Sequence, residues 1–171
     1  LKGWTFVGDT AENLYKKGIE MSFTENGLTA AQAQAYYNAS GVPVKYVDPR
    51  DSNYNVDAKS TINKKWSTVT SAEEHLEQII TQKYLANYPN GFESWSEWKR
   101  TGYPRMFTAA YNLSNVGAQN IDVTGKDFGV RRFPFPQSEF ELNAENVTAA
   151  KSLLGGPDNA ATNVWWDKKS K

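Results

Sequence analysis

Glu93 and Glu97 are the nearest approach in the sequence to a pair of catalytic carboxylates. They are four residues apart, which on a helix puts their Cβ atoms about 5–6 Å from each other. A glycoside hydrolase needs two carboxyl groups that face one substrate from different sides. Neighbours on one helix face point the same way, and Lys99 and Arg100 follow closely. The spacing therefore favours ion pairing at the surface over catalysis.

The segment Asp51–Asp57 alternates side-chain oxygens like the first half of a calcium-binding loop. Val56 stands where that motif needs a glycine, and Ile62 stands where it needs a bidentate glutamate. We therefore interpret the segment as a polar, turn-rich loop. We expect this protein to hold no metal ion and no cofactor.

The sequence has no cysteine and a single histidine, His75. This excludes disulfides, thiolate metal sites, a cysteine nucleophile and metal sites that need several histidines. A serine triad would depend on His75 alone, and that residue lies beside Glu74 and Glu77 near the start of a predicted helix. We expect it at the surface, and no catalytic residue is predicted.

Aromatic rings are the residue type best suited to ligand binding here, with six Trp, nine Tyr and eight Phe. Tyr46, Tyr54 and Trp66 lie in or beside a polar loop, and they are the predicted ligand-binding residues. An exposed ring there can stack on a sugar while Asn and Asp side chains bind hydroxyl groups. Packing of the same rings on their own scaffold is the alternative. Trp95 and Trp98, three residues apart, are predicted to be core.

Helical spacing of apolar residues predicts the scaffold that positions these side chains. The predicted helices cover about 10–25, 30–40, 72–87, 92–100 and 144–154. The fold class expected is mainly α: an irregular helical domain with long ordered loops.

Capping patterns support these helix starts. Asp9–Glu12, Thr29–Gln32 and Ser71–Glu74 each read as a capping box, and Asn143 is expected to cap the last helix. Glycine and proline punctuation predicts long loops over 42–66 and 105–140.

Charge and hydropathy exclude several classes of protein. Nineteen basic residues balance nineteen acidic ones among 171, so a nucleic-acid partner is not expected. No apolar run reaches the roughly 20 residues that span a bilayer. The first residues, Leu1–Trp4, lack a signal-peptide pattern, and the chain starts without Met, so we expect a processed product or a fragment.

Several blocks of the sequence, read together, resemble the SusD-like (SusD/RagB) outer-membrane lipoproteins. The resemblance extends over about residues 10–169, and the blocks that carry it are Leu14–Ser22, Gln82–Ala86, Glu93–Pro104, Arg131–Glu139, Asn143, Asn146–Val147 and Leu154–Asp167.

The resemblance implies a tetratricopeptide-like helical scaffold, most of it upstream of these residues. It implies a non-enzymatic protein at the cell surface that binds glycans, or sometimes peptides, and covers a SusC-type TonB-dependent transporter. The lipid anchor would lie in a part of the protein outside this chain. Residues 1–171 would form a single C-terminal segment, with the upstream part of the same protein as a partner and with apolar surface left exposed.

Two alternatives remain beside glycan capture and delivery. The segment could be a docking piece that contacts the transporter while ligand contacts lie elsewhere in the parent chain. A hydrolase fragment is the other, supported only by generic carboxylates. Blocks shared with the family are expected to hold the scaffold, with Arg131 or Arg132 pairing carboxylates or helix-end carbonyls, so ligand contacts are expected in 42–66 and 105–130.

Overall fold

A computed structural model describes residues 8–108, 110 and 130–167 of the chain. The described residues fall into two compact units. The first unit contains the residues up to Val44 together with Ala58–Met106. The second contains Lys45–Asp57 together with the described residues after Met106. That residues 1–171 are one C-terminal segment of a longer protein stays a prediction.

Helices dominate the described residues, which confirms the mainly α fold class. They are α1 Ala11–Glu25, α2 Ala30–Asn38, α3 Ala72–Ala86, α4 Gly91–Thr101, α5 Gln137–Leu142 and α6 Ala144–Ser152. Two single 3₁₀ turns, Ser52–Tyr54 and Trp66–Thr68, interrupt the long predicted loop over 42–66. The only β-type pairing in the described part of the chain is an isolated antiparallel bridge between Tyr46 and Val56.

The first unit is built on capped helix starts. Thr29 and Gln32 form the predicted capping box of α2, and Ser71 and Glu74 form that of α3. At α1 the cap is Thr10, whose side chain accepts the N–H of Asn13, so the box predicted from Asp9 is wrong. The carboxylate of Asp9 is bound instead by Lys17 Nζ at 2.6 Å.

The core of the first unit lies where α1 and α2 pack together. Its buried residues are Tyr15 and Ile19 from α1 and Ala33 and Tyr37 from α2. The four-residue spacing within each pair puts both members on one helix face. Partly buried Phe23 and Tyr36 of the same helices, and Trp66 and Ile79 from outside this helix pair, pack against the cluster.

Trp95 is not a core residue in this chain, contrary to the prediction from its spacing. Its side chain is 59% exposed, and α4 buries a different face through Ser94 and Thr101. Lys99 Nζ lies 5.7 Å from the Trp95 ring centroid and 5.0 Å from that of Trp98, over both rings. Trp98 is half-buried.

The second unit holds α5 and α6. Helix α5 occupies the last residues of the loop predicted over 105–140, so the prediction is wrong there. Residues 109 and 111–129, which hold much of that predicted loop and of the 105–130 segment where ligand contacts were expected, lie outside the described residues. Pro136 precedes the helix, and its fixed φ suits a helix start. Asn143 lies at the start of α6, but its side chain does not cap that helix; its Oδ1 accepts from Asn146 Nδ2 at 2.6 Å.

Two neighbouring arginines organise the end of the second unit. Arg131 binds Asp167 through Nε at 2.6 Å, and Arg132 binds Asp158 through a terminal nitrogen at 2.5 Å. All four side chains are at least nine-tenths buried. The arginines therefore pair carboxylates inside the fold, as their place in a block shared with a family predicted.

Large apolar side chains remain exposed in both units, as expected for part of a longer protein. Phe92 is 89% exposed on α4, and Trp165 and Trp166 are 81% and 67% exposed near the end of the described chain. Isolated apolar residues at a surface are ordinary, but several large rings at this level of exposure are not. Every helix of the described part is too short or too polar to span a membrane.

Candidate functional site

The Tyr46 loop, residues 45–57, closes on itself through backbone hydrogen bonds. The N–H of Tyr46 donates to the carbonyl of Val56 at 2.9 Å, and the N–H of Val56 donates back at 3.1 Å. The N–H of Tyr54 donates to the Asp51 carbonyl at 3.0 Å. These bonds hold the two predicted tyrosines within one ordered loop.

Asp48 anchors the turn between the two sides of the Tyr46 loop. Its Oδ1 accepts the backbone N–H groups of Arg50 at 2.9 Å and Asp51 at 3.0 Å. The Asp48 N–H donates to Asn55 Oδ1 at 2.8 Å. Asn53 completes the pattern by donating its N–H to Asp51 Oδ1 at 2.9 Å. Asp and Asn oxygens thus make turns, which supports the polar-loop interpretation of this segment.

The oxygens that looked like half a calcium loop are largely used within the protein. Asp51 and Asn55 accept backbone N–H groups, and Asp57 lies 3.4 Å from Lys45 Nζ. Among the residues that the structure describes, no three His, Cys, Asp or Glu side chains form a group that could hold a metal ion.

The hydroxyl of Tyr46 donates to Asp48 Oδ2 at 3.1 Å. This hydrogen bond raises the pKa of the Tyr46 phenol, because a phenolate beside the carboxylate is disfavoured. Tyr46 is therefore a neutral phenol at pH 7. Its proton is already used, so its oxygen presents lone pairs that can accept a hydrogen bond from a ligand hydroxyl.

The two tyrosine rings of the Tyr46 loop and the ring of Phe107, which belongs to the same unit, are partly open to solvent. Tyr46, Tyr54 and Phe107 are 46%, 45% and 49% exposed. The centroids of Tyr46 and Phe107 are 6.5 Å apart with their planes tilted by 59°. Phe107 was not singled out from sequence, although it falls in the segment 105–130 where ligand contacts were expected. Spacing alone gives no signal that pairs it with Tyr46 across some 60 residues.

Trp66, the third predicted ligand-binding ring, belongs to the first unit and not to the Tyr46 loop. One face of its indole is stacked on His75, with centroids 3.8 Å apart and planes 15° from parallel. The Tyr15 ring lies 5.1 Å away on centroid distance. This packing agrees with the alternative that a predicted ring packs on its own scaffold. Of the three predicted ligand-binding rings, Tyr46 and Tyr54 are the two that lie in one loop. His75 is half-buried, not at the surface as expected.

Glu93 and Glu97 form ion pairs, as their spacing favoured. Lys83 Nζ donates to Glu93 at 2.7 Å and to Glu97 at 3.1 Å, and Arg100 donates to Glu97 at 2.5 Å. Burial raises the pKa of Glu97, but the hydrogen bonds from Arg100 and Lys83 outweigh it and hold that pKa below its usual range. A general acid needs the opposite shift.

We predict that Asp48 titrates below 3.8, the ordinary value for an aspartate. Hydrogen bonds from the backbone N–H groups of Arg50 and Asp51 favour the charged form and lower its pKa. A depressed folded pKa stabilises the turn above pH 3.8, and that stabilisation is lost as the pH falls through the lower, folded value. NMR titration of the Asp48 carboxyl carbon measures the midpoint.

The control for this titration is Asp48→Asn, which keeps an oxygen acceptor but removes the ionisable group. In this variant the amide shift of Arg50 should no longer show the Asp48 titration. A midpoint for Asp48 at or above 3.8 would show that the turn does not favour its charged form.

A family model described as SusD-like, SusD and RagB outer membrane lipoprotein, matches residues 1–167. The chain belongs to the SusD-like family. This confirms the family resemblance that the sequence blocks carried. A comparison with curated protein sequences found no match.

Solved SusD-like structures share both the fold and part of the sequence. A chitin-binding SusD homologue from Flavobacterium johnsoniae is 39% identical, with a TM-score of 0.71 over 99% of this chain and 33% of its own. A homologue from Bacteroides ovatus is 37% identical, with a TM-score of 0.73 over 98% of this chain and 34% of its own. One from Bacteroides vulgatus is 34% identical, with a TM-score of 0.71 over 95% of this chain and 31% of its own. This SusD-like chain therefore spans about a third of the length of the structures it matches.

Proposed function

We propose that this SusD-like chain is part of a glycan-binding protein at the outer-membrane surface. In this proposal the protein captures an oligosaccharide without chemical change and delivers it to a SusC-type TonB-dependent transporter. The observation that carries the proposal is the 39% identity, over 99% of this chain, to a SusD homologue that binds chitin. The family itself consists of outer membrane lipoproteins by its description.

The Tyr46 loop is the proposed contact with the glycan. The exposed rings of Tyr46, Tyr54 and Phe107 provide flat apolar surfaces that suit the C–H faces of a sugar. The Tyr46 oxygen is available to accept from a sugar hydroxyl, because its own proton is given to Asp48. The loop is already ordered by its internal hydrogen bonds, which reduces the entropy lost when a ligand binds.

Replacing Tyr46 or Tyr54 by alanine is expected to weaken oligosaccharide binding at least about tenfold each, equivalent to about 1.4 kcal/mol. The physical reason is that each change removes a ring whose face would be covered by the sugar. Chitin oligosaccharides are the first probe, because one solved relative binds chitin. Isothermal titration calorimetry gives the dissociation constants.

Tyr84→Ala is the matched control, since Tyr84 is also a partly exposed tyrosine, at 37%, but lies on α3 in the first unit. The affinity of the Tyr84→Ala variant for the oligosaccharide should stay within about twofold of that of the unchanged chain. Equal losses for all three variants, or no loss at Tyr46 and Tyr54, would remove the Tyr46 loop from the proposed site. Because capture changes no bond, chromatography of the recovered oligosaccharide should find no shorter product. Glu93→Gln should leave both the oligosaccharide affinity and this chromatogram unchanged.

A docking role is the second candidate, and it is favoured by the chain spanning about a third of its solved relatives. In that case residues 1–171 would bind no oligosaccharide, a longer polypeptide that contains them would, and Tyr46→Ala would leave that binding unchanged. Co-purification of the longer polypeptide with a TonB-dependent transporter from outer-membrane extracts tests the delivery step in either case.

A further inference from the structure

An open pocket of about 250 Å³ lies in the first unit, between two loop segments and the helices α2 and α3. The loop segments are 41–43 and 62–64, and we call this space the Lys64 pocket. Its volume is below the roughly 300–1,000 Å³ of pockets that hold drug-sized ligands. The Lys64 pocket therefore suits a small ligand, and no residue of the Tyr46 loop lines it.

Hydrogen bonds between the two loop segments fix one wall of the Lys64 pocket. The N–H of Lys64 donates to the Gly41 carbonyl at 3.1 Å, and the N–H of Gly41 donates to Asn63 Oδ1 at 3.2 Å. Asn63 Oδ1 also accepts the N–H of Lys65 at 2.9 Å. This wall is ordered before a ligand arrives, which lowers the entropy lost on binding.

The ammonium group of Lys64 supplies the charge of the pocket. Among the described residues that line it, Lys64 is the only charged one. Its Nζ lies 4.3 Å from the ring centroid of Tyr36, and no carboxylate of the described residues forms an ion pair with it. The ring covers one side of an ammonium that has three N–H donors, so donors remain for an anion.

The other polar side chains of the pocket have donors left over. Gln82 Oε1 accepts from the Tyr36 hydroxyl at 3.1 Å, which leaves the Gln82 amide N–H groups without an acceptor among the described residues. Asn63 is in the same state, because its Oδ1 is used by two backbone N–H groups. These donors and one positive charge match a carboxylate better than a phosphate, which carries up to two negative charges.

Aliphatic side chains form much of the remaining lining. Val42, Pro43, Ile62 and Leu85 belong to it, and Val42 and Leu85 are 51% and 56% exposed. Covering this surface favours an occupant that carries hydrocarbon next to its charge. A sugar acid would place hydroxyl groups against the same surface, and the loss of their water would be uncompensated.

We propose that the Lys64 pocket binds a small carboxylate with an aliphatic body. The carboxylate accepts from the Lys64 ammonium and from the amide N–H groups of Gln82 and Asn63, and the aliphatic body covers Val42 and Leu85. A free short-chain acid and the terminal residue of a longer molecule present the same chemistry. This inference does not rest on glycan binding by the Tyr46 loop.

Isothermal titration calorimetry with N-acetyl-leucine and N-acetyl-leucinamide tests the proposal in the polypeptide that carries residues 1–171. The two probes have the same aliphatic body, and they differ in whether its end is a carboxylate or a neutral amide. N-acetyl-leucine should bind at least about tenfold more tightly, because hydrogen bonds to a charged group are about twice as strong as neutral ones. Equal affinities, or no saturable binding of either probe, would overturn the proposal.

Two further acids define the body of the ligand. Isocaproate is a free acid with the same aliphatic group, so tighter binding of isocaproate than of N-acetyl-leucine assigns the pocket to free acids, and the reverse order assigns it to a chain end. Glucuronate, whose body carries hydroxyl groups, should bind at least about tenfold more weakly than N-acetyl-leucine. Glucuronate that binds as tightly would show that the aliphatic part of the proposal is wrong.

Lys64→Gln removes the charge and should abolish the preference for N-acetyl-leucine over its amide. Lys65→Gln is the matched control, since it loses the same charge at the next residue, which does not line the pocket. The affinity of the Lys65→Gln variant for N-acetyl-leucine should stay within about twofold of that of the unchanged protein. Tyr46→Ala should also leave this affinity unchanged, so a failure of the glycan proposal is distinguishable from a failure here.

A chemical footprint locates the bound probe without any substitution, which keeps the test valid if Lys64→Gln does not fold. Saturating N-acetyl-leucine should slow reductive methylation of the Lys64 amine at least about fivefold and leave that of Lys65 unchanged. Fragmentation of the peptide that contains both lysines distinguishes the two sites by mass spectrometry. Methylation of Lys64 at the same rate with and without the probe would place the binding elsewhere and overturn the proposal.

Discussion

Replacing Asp158 by alanine should lower the free energy of unfolding by about 3–5 kcal/mol, the range found when one partner of a buried ion pair is removed. The side chains of Arg132 and Asp158 are 9% and 8% exposed. Without Asp158 the guanidinium stays buried and loses its 2.5 Å contact, and the N–H of Phe135 loses its 3.2 Å bond to the same oxygen. Urea denaturation followed by tryptophan fluorescence measures the loss.

Two further variants show whether charge or hydrogen bonding dominates at Asp158. Asp158→Asn keeps an oxygen that can accept from Phe135 and Arg132, so it should be less destabilising than Asp158→Ala. Asp57→Ala is the surface control, because the Asp57 side chain is 86% exposed and its pairing with Lys45 should contribute nothing measurable. An Asp158→Ala variant as stable as Asp57→Ala would refute a structural role for the Arg132 pair.

The position of Arg132 also bears on function. It and Arg131 fix the end of the described chain, where Trp165 and Trp166 are exposed. Both arginines lie in a block of sequence that this chain shares with its family. Their buried ion pairs show that these two arginines serve the scaffold, so the Tyr46 loop is kept as the proposed ligand contact.

The sequence was sufficient to predict features that depend only on residues close together in the chain. The capping boxes at Thr29 and Ser71 are present because each needs only residues three apart. At α1 two consecutive residues, Asp9 and Thr10, can both cap, and the pattern does not decide between them. Helix α5 was missed because six residues after a proline-rich stretch are too few for a helical period to be recognised.

Long-range packing could not be read from spacing. Trp66 and Tyr46 both lie in polar, loop-like sequence, yet Trp66 is stacked on His75 in the first unit and Tyr46 is half-exposed in the second. The difference depends on partners such as Tyr15, about 50 residues away. The prediction that Trp95 is a core residue was wrong for a related reason. Periodicity identifies a helix face, but it does not show whether anything in the chain covers that face.

Replacing Gln78 is expected to have the second large effect on the free energy of unfolding. This side chain is only 1% exposed, and it holds the segment around Trp66 in place. Its Nε2 donates to the carbonyls of Asn63 at 2.7 Å and Lys65 at 3.0 Å. Its Oε1 lies 2.9 Å from His75 Nδ1. Because Nε2 is the donor to both carbonyls, Oε1 is left as the acceptor for a proton on Nδ1, which fixes the tautomer of the ring that stacks on Trp66.

Gln78→Leu keeps the volume and removes both donors, so the free energy of unfolding should fall by about 1–3 kcal/mol for each carbonyl left unsatisfied. Gln78→Glu should be worse at neutral pH, because it turns a carboxylate towards two carbonyl oxygens. Gln34→Leu, at an exposed position on α2, is the matched control and should be close to neutral.

Amide hydrogen exchange of the segment 59–68 distinguishes a local from a global loss. If Gln78 holds this segment, Gln78→Leu should raise exchange there more than in α1, since the donors removed serve Asn63 and Lys65 only. Stability and exchange equal to those of Gln34→Leu would mean that Trp66 is positioned by ring packing alone. In that case the contacts with Tyr15 and His75 would be sufficient to keep Trp66 against the core of the first unit.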